Sequence, residues 1–305
     1  MNYSIYKLSF RSAVHFGSGR LSSGTDHFYA DTLFSALCHE ALKLYGENGA
    51  EKMYRLVKDG KLLLSDSMPY CGNELYIPKP IAVVDGKRQS DSSMKKKFKK
   101  LKYIPICDID SYFSGSYVPS DSLDKLGKSH IKSCAAVKKD DDNEPFTVGA
   151  FTFSENCGLY FVLGTDSYET ESIIDELMSS LSYTGIGGKV SAGMGGFAYT
   201  YENASAKLCS LLENNDSSVY MSLSVSMAAD SELETVVEGA SYELIKRSGF
   251  IASPNAESTQ KKRDFYCFKG GSCFTGRFMG DVFDVSAGDS HPVYRYCVPM
   301  MIGIR

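Results

Sequence analysis

A glycine-rich segment near the middle of the chain has a composition suited to phosphate groups. Six glycines fall within twelve residues, together with a lysine, a serine and a methionine: Gly185, Gly187, Gly188, Lys189, Ser191, Gly193, Met194, Gly195 and Gly196. Glycine lets a backbone approach another chain closely, and successive N–H groups can form a concave anion site. The lysine adds a cation and the serine a hydroxyl donor. This composition suits a nucleic-acid contact, and it suits a purely structural loop equally well.

Two common nucleotide-binding motifs do not fit this segment. A Walker A loop ends in Gly-Lys-Ser/Thr, but here Gly188-Lys189 is followed by Val190. A dinucleotide fingerprint places GxGxxG between a strand and a helix, whereas Gly185-Ile186-Gly187 continues to Val190 and follows a predicted helix. No cofactor is therefore predicted.

The cysteines do not form a metal-binding pattern. There are nine, with no CxxC pair: Cys38, Cys71, Cys107, Cys134, Cys157, Cys209, Cys267, Cys273 and Cys297. Zinc sites and disulfide frameworks need closer, regular spacing. We expect small half-buried side chains in a reducing compartment, and no metal.

The charge of the chain is unevenly distributed. The net charge is −4, yet residues 87–102 carry eight basic residues against one acid, Asp91. This block, which includes Lys87, Arg88, Lys95, Lys96 and Lys97, has a charge of +7, and the rest of the chain has −11. A local basic block on an acidic body is typical of a polyanion-binding surface. A solvated loop is the alternative interpretation.

The hydrophobic pattern predicts two α+β domains. The first, residues 1–203, has a strand at 3–11 and then a helix with Asp31 as N-cap and an apolar stripe that includes Leu33, Phe34, Leu37 and Leu44. Residues 86–145 are rich in Ser, Lys and Asp and are interpreted as an insertion, with Asp140–Asp142 as a solvated linker. Strands at 146–153 and 158–164 are predicted to form a hairpin, followed by a second helix, the glycine loop at 184–196 and a last strand. This order is typical of a ferredoxin-like fold, also called RRM-like.

The second domain, residues 204–305, is predicted to be a second ferredoxin-like unit. Residues 219–228 alternate like a strand, and Gly270-Gly271 is predicted to join strands 263–269 and 272–277 in a hairpin. Arginines such as Arg263 and Arg277 alternate there with Phe265, Tyr266, Phe268 and Phe274, which suits stacked bases or a protein interface. No segment has the length of an apolar membrane span or the pattern of a signal peptide, so we expect a cytoplasmic location.

Several segments together make the sequence similar to a known family. The pattern G-x-G-G-K-x-S-x-G-x-G-G-F resembles the glycine-rich loop of the RAMP superfamily of CRISPR proteins. The segment from Val14 to Leu37 resembles the first strand, loop and helix of that superfamily. Tyr242 to Phe250, Gly271-Ser272 and His291 to Ile302 resemble the family of fourth subunits of type III-A Csm effector complexes. The insertion at 86–145 resembles the family only in length and character.

The resemblance implies a non-catalytic subunit that caps the complex and grips the single-stranded 5′ handle of the CRISPR RNA. It implies contacts with the large polymerase-like signature subunit, a neighbouring backbone RAMP subunit, and target RNA at the edge of the guide duplex. Part of residues 86–145 would form a thumb at that edge. No membrane and no homo-oligomer is implied. The residues expected at RNA are His15, Gly17, Arg20, Lys95–Lys97, Arg247, Arg277 and the nine glycine-loop residues named above.

Two other functions stay open at this level. Related RAMP proteins are metal-independent endoribonucleases that use a histidine as general acid or base. His15, at the end of the first strand, is the candidate for that role, and its loss would then abolish cleavage. The other alternative is a protein scaffold without RNA contact, in which reversing the charge of Lys189 and Lys95–Lys97 would have no effect on RNA assembly.

Overall fold

The structure is a computed structural model that describes residues 1–82, 92–136, 144–251, 260–287 and 291–304. Lys87, Arg88 and Asp91 of the basic block, and the predicted linker Asp140–Asp142, lie outside these ranges. The first half contains the strands β1 (Asn2–Phe10), β2 (Phe16–Ser18), β3 (Arg20–Thr25), β4 (Leu62–Leu64), β5 (Met68–Cys71), β6 (Glu74–Pro78), β7 (Tyr103–Pro105), β8 (Gly127–Ala136), β9 (Glu144–Phe153), β10 (Cys157–Thr165) and β11 (Phe197–Asn203). Its helices are α1 (Ala30–Tyr45), α2 (Gly49–Lys58), α3 (Ser92–Lys100), α4 (Ile109–Phe113) and α5 (Tyr168–Thr184).

The second half has shorter elements. They are α6 (Ala206–Glu213), β12 (Tyr220–Ser222), α7 (Leu233–Val237), β13 (Leu244–Arg247), β14 (Phe265–Phe268), β15 (Cys273–Phe274), β16 (Asp281–Asp284), β17 (Tyr294–Cys297) and β18 (Met301–Gly303). The strands form one sheet, β15-β12-β18, and the pairs β13-β14 and β16-β17. None of the helices in the described ranges has both the length and the apolar character needed to cross a bilayer.

The main sheet is antiparallel and has the order β11-β1-β10-β5-β6-β7, with β4 also paired to β10. Alternate residues of a strand face opposite sides, and both sides of this sheet are covered. Tyr6 and Phe161 face α1 and α5, whereas Ile5 and Val162 pack with α6 and strands of the second half. Every residue of β10 is buried for this reason.

The two halves share their cores. The cluster beneath α1 also contains Val225, Tyr296 and Cys297 of the second half. The mixed helix and strand class with antiparallel sheets is as predicted. The ferredoxin-like assignment of both halves and the boundary at 203/204 stay predictions.

Both predicted hairpins are wrong. β9 pairs over its whole length with β8, while β10 pairs with β1, β4 and β5. Likewise β14 pairs with β13, and β15 with β12. In each case the strands exist close to their predicted positions, but more distant segments supply the partners.

Candidate nucleic-acid interface

The glycine loop lies against the segment that leads from β1 to β2. The Gly188 amide donates to the carbonyl of His15 at 2.8 Å, and the Gly195 amide to that of Ala13 at 3.0 Å. The loop also closes on itself, since Ile186 donates to the Gly195 carbonyl at 3.0 Å. A Cβ at Gly195 would lie 2.2 Å from the Ile186 oxygen, so this close approach requires glycine.

This packing limits which loop amides are able to hold a phosphate. The amides of residues 186, 188, 192, 193, 194 and 195 already donate to carbonyls of the protein. Those of Gly187, Lys189 and Ser191 have no acceptor in the described ranges. Met194 is buried against Val148 and Ala150, so we replace its predicted RNA contact with a packing role.

Lys189 is the cation of the loop. Its backbone is left-handed, with φ of 61°, and its Nζ lies 5.0 Å above the ring of Phe146 on β9. Within the described part of the chain the ammonium has no carboxylate partner. Ser191 and Gly193 are exposed beside it. The surface of the loop therefore presents one unneutralised positive charge.

His15 is oriented by one hydrogen bond. Its Nδ1 lies 2.6 Å from the Gly149 carbonyl oxygen. A carbonyl only accepts, so Nδ1 carries the proton and Nε2 of the neutral ring is left as an acceptor. The residue is buried to 7% exposure, yet it lines the cleft described next. This arrangement suits a contact with a donor such as a ribose hydroxyl.

A cleft of 560 Å³ separates the glycine loop from the second half of the chain. One wall contains His15, Gly17 and loop residues 185–188, and the other contains residues of β13 and β17. The floor is one face of α1, from Asp31 to Lys43. The two walls come from distant parts of the sequence and enclose one open groove.

Asp31 lies at the centre of an ion cluster in this cleft. Arg247 binds it through two bonds, Nε to Oδ2 at 3.0 Å and Nη2 to Oδ1 at 2.8 Å, and Arg295 Nη1 donates to Oδ2. Burial opposes ionisation of Asp31, but the two guanidinium groups hold its pKa below the usual value. The predicted N-cap role is wrong, because Asp66 Oδ1 instead accepts the Ala30 amide at 2.8 Å.

The cluster leaves an excess of positive charge. Arg247, Arg295 and the half-buried Lys262 line the cleft together with Asp31. Burial and the neighbouring Arg295 lower the pKa of Lys262. Arg295 Nε is buried, and none of the residues that the structure describes forms a hydrogen bond with it. An anion in the cleft would meet these groups, and Lys189 lies between Gly188 and Val190, which line it.

Of the other residues predicted to contact RNA, some lie at the cleft and some lie away from it. Arg20 is exposed near the tip of the β2-β3 hairpin, whose Gly17 lines the cleft. Lys95 and Lys96 are exposed on α3, and Lys97 Nζ lies 3.2 Å from Asp121. None of these lysines lines the cleft.

Arg277 does not line the cleft, so its RNA contact, which stays a prediction, would lie elsewhere on the surface. Its guanidinium donates to the carbonyls of Leu212 at 2.7 Å, Asn214 at 2.9 Å and Met301 at 2.9 Å. It also lies 5.0 Å from the ring centre of Tyr220. The residue joins the end of α6 to β18, where carbonyls without helical partners attract a cation.

Sequence reasoning missed Lys262, Arg295, His27 and Tyr29, all of which line the cleft. His27 and Tyr29 lie in the segment from Val14 to Leu37, and Arg295 in that from His291 to Ile302, both of which resemble the family, but no sequence signal pointed to Lys262. Among the described residues, no group of three or more His, Cys, Asp or Glu side chains is placed so that it could hold a metal ion.

Comparisons with known proteins agree on one family. The sequence model of the RAMP superfamily matches residues 7–198, and that of the CRISPR Csm4 C-terminal domain matches residues 215–304. A CRISPR system Csm4 protein of Mycobacterium tuberculosis is 36% identical over 312 residues, covering 100% of this chain and 98% of the relative. A Csm4 protein of Streptococcus thermophilus is 32% identical over 318 residues, covering 100% of both chains.

Solved structures show the same fold at lower identity. A chain of a Csm3-Csm4 subcomplex from a type III-A interference complex has a TM-score of 0.70 and 19% identity, with 100% of both chains covered. A chain of a Csm1-Csm4 cassette in complex with cA4 has a TM-score of 0.66 and 16% identity, covering 100% of this chain and 98% of that one.

Proposed function

This chain belongs to the Csm4 family of the RAMP superfamily, and we propose that it is a non-catalytic subunit that binds the single-stranded 5′ handle of CRISPR RNA and caps a type III-A complex. The observation that carries the proposal is the cleft between the glycine loop and the Asp31 ion cluster. There Arg247, Lys262 and Arg295 carry more positive charge than Asp31 neutralises, because Glu40, the other buried carboxylate of the lining, is paired with Lys43. Lys189 adds a further charge on the loop, next to Gly188, which lines the cleft.

The cleft is suited to RNA through three kinds of contact. Lys189 and Lys262 meet backbone phosphates, which supply most of the affinity of such complexes. The unpaired amides of Gly187 and Ser191 add donors. The Nε2 acceptor of His15 suits a 2′-hydroxyl, the group that distinguishes RNA from DNA. We also assign both halves to ferredoxin-like folds, consistent with the main sheet.

The proposed partners follow from the family. The solved relatives are a Csm3-Csm4 subcomplex and a Csm1-Csm4 cassette. By analogy this chain would contact a neighbouring backbone RAMP subunit and the large signature subunit, and lie near target RNA at the duplex edge. Strand β8, which lies within the predicted insertion at 86–145 and pairs with β9, is our candidate for part of the thumb.

Fluorescence anisotropy with labelled CRISPR RNA, with and without its handle, tests the proposal across a salt series. The double variant Lys189→Ala/Lys262→Ala should weaken handle binding about tenfold and reduce the salt slope by about 1.4, since each lost phosphate contact on a single strand contributes about 0.7. Lys246→Ala is the matched control, because Lys246 pairs with Asp264 and does not line the cleft.

Equal affinity for CRISPR RNA with and without its handle, or no binding, would contradict the proposal and favour a protein scaffold. Gel analysis of the same samples in EDTA distinguishes the second alternative. Cleavage products that His15→Ala abolishes would make the chain a metal-independent endoribonuclease.

A further inference from the structure

A second groove, which we call the lysine groove, lies beside the glycine-loop cleft. It has a volume of 760 Å³ and is lined by Lys99, Lys100, Lys102, Tyr103 and Lys269, among others. His27 and Tyr29 line both the cleft and the lysine groove. These two side chains therefore form a ridge where the two openings meet.

The lysine groove is positively charged. Lys99, Lys100 and Lys102 are exposed and make no ion pair in the described ranges. The lining carboxylates do little to neutralise them. Glu243 is paired with Lys269 at 2.7 Å, and Asp66 is buried, with Oδ1 accepting the amides of Ala30 and Val225. A polyanion in the groove would meet three unpaired ammonium groups.

The ridge offers aromatic surface next to this charge. The His27 ring lies 5.0 Å from that of Tyr29 and 6.5 Å from that of Tyr103, both edge-on. The Arg247 guanidinium packs over Tyr29 at 4.3 Å. Half-buried aromatic rings beside rows of cations are typical of grooves for single-stranded nucleic acid, because bases stack while phosphates follow the charge.

We propose that the lysine groove continues the RNA path, so that a single strand leaving the glycine-loop cleft crosses the His27–Tyr29 ridge and lays its phosphates along Lys99, Lys100 and Lys102. The inference rests on the proposed function of the cleft. The strand is the handle itself or the flank of a target RNA, which share this chemistry. Lys95 and Lys96, on the same helix, do not line the groove, so their predicted RNA contact is separate from this proposal.

Helix α3 provides its own control. Lys99→Glu/Lys100→Glu and Lys95→Glu/Lys96→Glu change the net charge equally and lie one helical turn apart, but only the first pair lines the groove. The full chain, alone or in its complex, is titrated with CRISPR RNA whose handle is shortened one nucleotide at a time, and with target RNA with or without its flank. The groove variant should bind at least tenfold more weakly than the control variant, with a salt slope smaller by about 1.4.

The RNA length at which the two α3 variants bind equally well shows whether the strand in the groove is the handle or the target flank. A difference that depends on handle length assigns the handle, and one that depends on the target flank assigns the target. Photocrosslinking of 4-thiouridine RNA should label a peptide containing His27 and Tyr29.

Two results would overturn the proposal while the function of the cleft stands. One is equal affinity of both α3 variants in a protein whose Lys189→Ala/Lys262→Ala variant loses RNA. The other is a groove variant that loses only a protein subunit, which would make the groove a protein interface. Absence of handle binding by the wild type would instead refute the proposed function itself. Circular dichroism melting of both variants excludes unfolding as the cause.

Discussion

Arg247 and Asp31 form a two-bond ion pair, at 3.0 and 2.8 Å, although 216 positions separate them in the chain. Asp31 belongs to α1 and Arg247 to β13, so the pair joins the two halves beneath the cleft. Arg295 of β17 completes it from a third element. The site and the association of the halves thus depend on the same charges.

Replacing Asp31 with Asn should destabilise the protein by about 3–5 kcal/mol, the usual cost of breaking a buried ion pair. The change keeps the side-chain shape but leaves Arg247 and Arg295 facing a neutral amide. Urea unfolding followed by fluorescence measures the effect. Asp264→Asn, which breaks the exposed pair with Lys246, should leave the midpoint unchanged. A stable Asp31→Asn variant would show that the arginines need no counter-charge.

The glycine loop allows a matched comparison of two substitutions at positive φ. Gly195 and Gly193 have φ of 79° and 80°, but a Cβ at Gly195 would meet the Ile186 oxygen at 2.2 Å, while one at Gly193 meets nothing within 4 Å. Gly193→Ala should therefore cost only the left-handed strain, about 1 kcal/mol. Gly195→Ala should lower the melting temperature further and weaken handle binding. Equal effects of the two would contradict the packing described for Gly195.

Asp66 should make stability depend on pH. Burial raises the pKa of Asp66 to about 7 despite the hydrogen bonds from the amides of Ala30 and Val225, and the charge of Asp31 raises it further while His27 lowers it. The folded state binds this proton more tightly than the unfolded chain. Its contribution is therefore fully present below about pH 4 and is lost as pH rises through 7.

Asp66→Asn removes this titration, so its stability relative to the wild type should rise between about pH 4 and pH 7. The full shift corresponds to about 4 kcal/mol at 1.36 kcal/mol per unit. Urea midpoints of both proteins at each pH give the difference directly. Parallel pH profiles would show that Asp66 ionises in the folded protein at its ordinary value.

Local signals predicted the elements that carry the loop, but not their partners. The apolar stripes of α1 and α5 are buried as predicted through Phe34 and Leu177, although Leu44 is 45% exposed. Those patterns depend on helix periodicity, which the sequence shows directly. Strand pairing has no such signal in the sequence, because β9 pairs with β8 and β10 pairs with the distant β1 rather than with each other. The Asp31–Arg295 contact spans 264 positions, and no periodicity reports it.

Replacing His15 should lower the affinity for RNA, and neither the wild type nor the variant should cleave RNA. His15→Ala removes the bond to Gly149 and the Nε2 acceptor, and we expect affinity for handle RNA to fall about fivefold, near the value of one hydrogen bond. Neither protein should yield cleavage products in a gel assay. A variant that binds normally would mean that the ring serves only to hold β9 against the loop.

Arg277 should separate stability from RNA binding. Its guanidinium donates to three carbonyls at the junction of α6 and β18, far in sequence from the glycine loop. Arg277→Met keeps much of the side-chain volume but leaves those carbonyls without a donor, which should destabilise the protein by about 2 kcal/mol. Handle affinity, measured below the melting range, should equal that of the wild type because no cleft residue is changed. If affinity falls while the melting temperature stays constant, Arg277 contacts RNA directly, and the interface extends to this end of the second half.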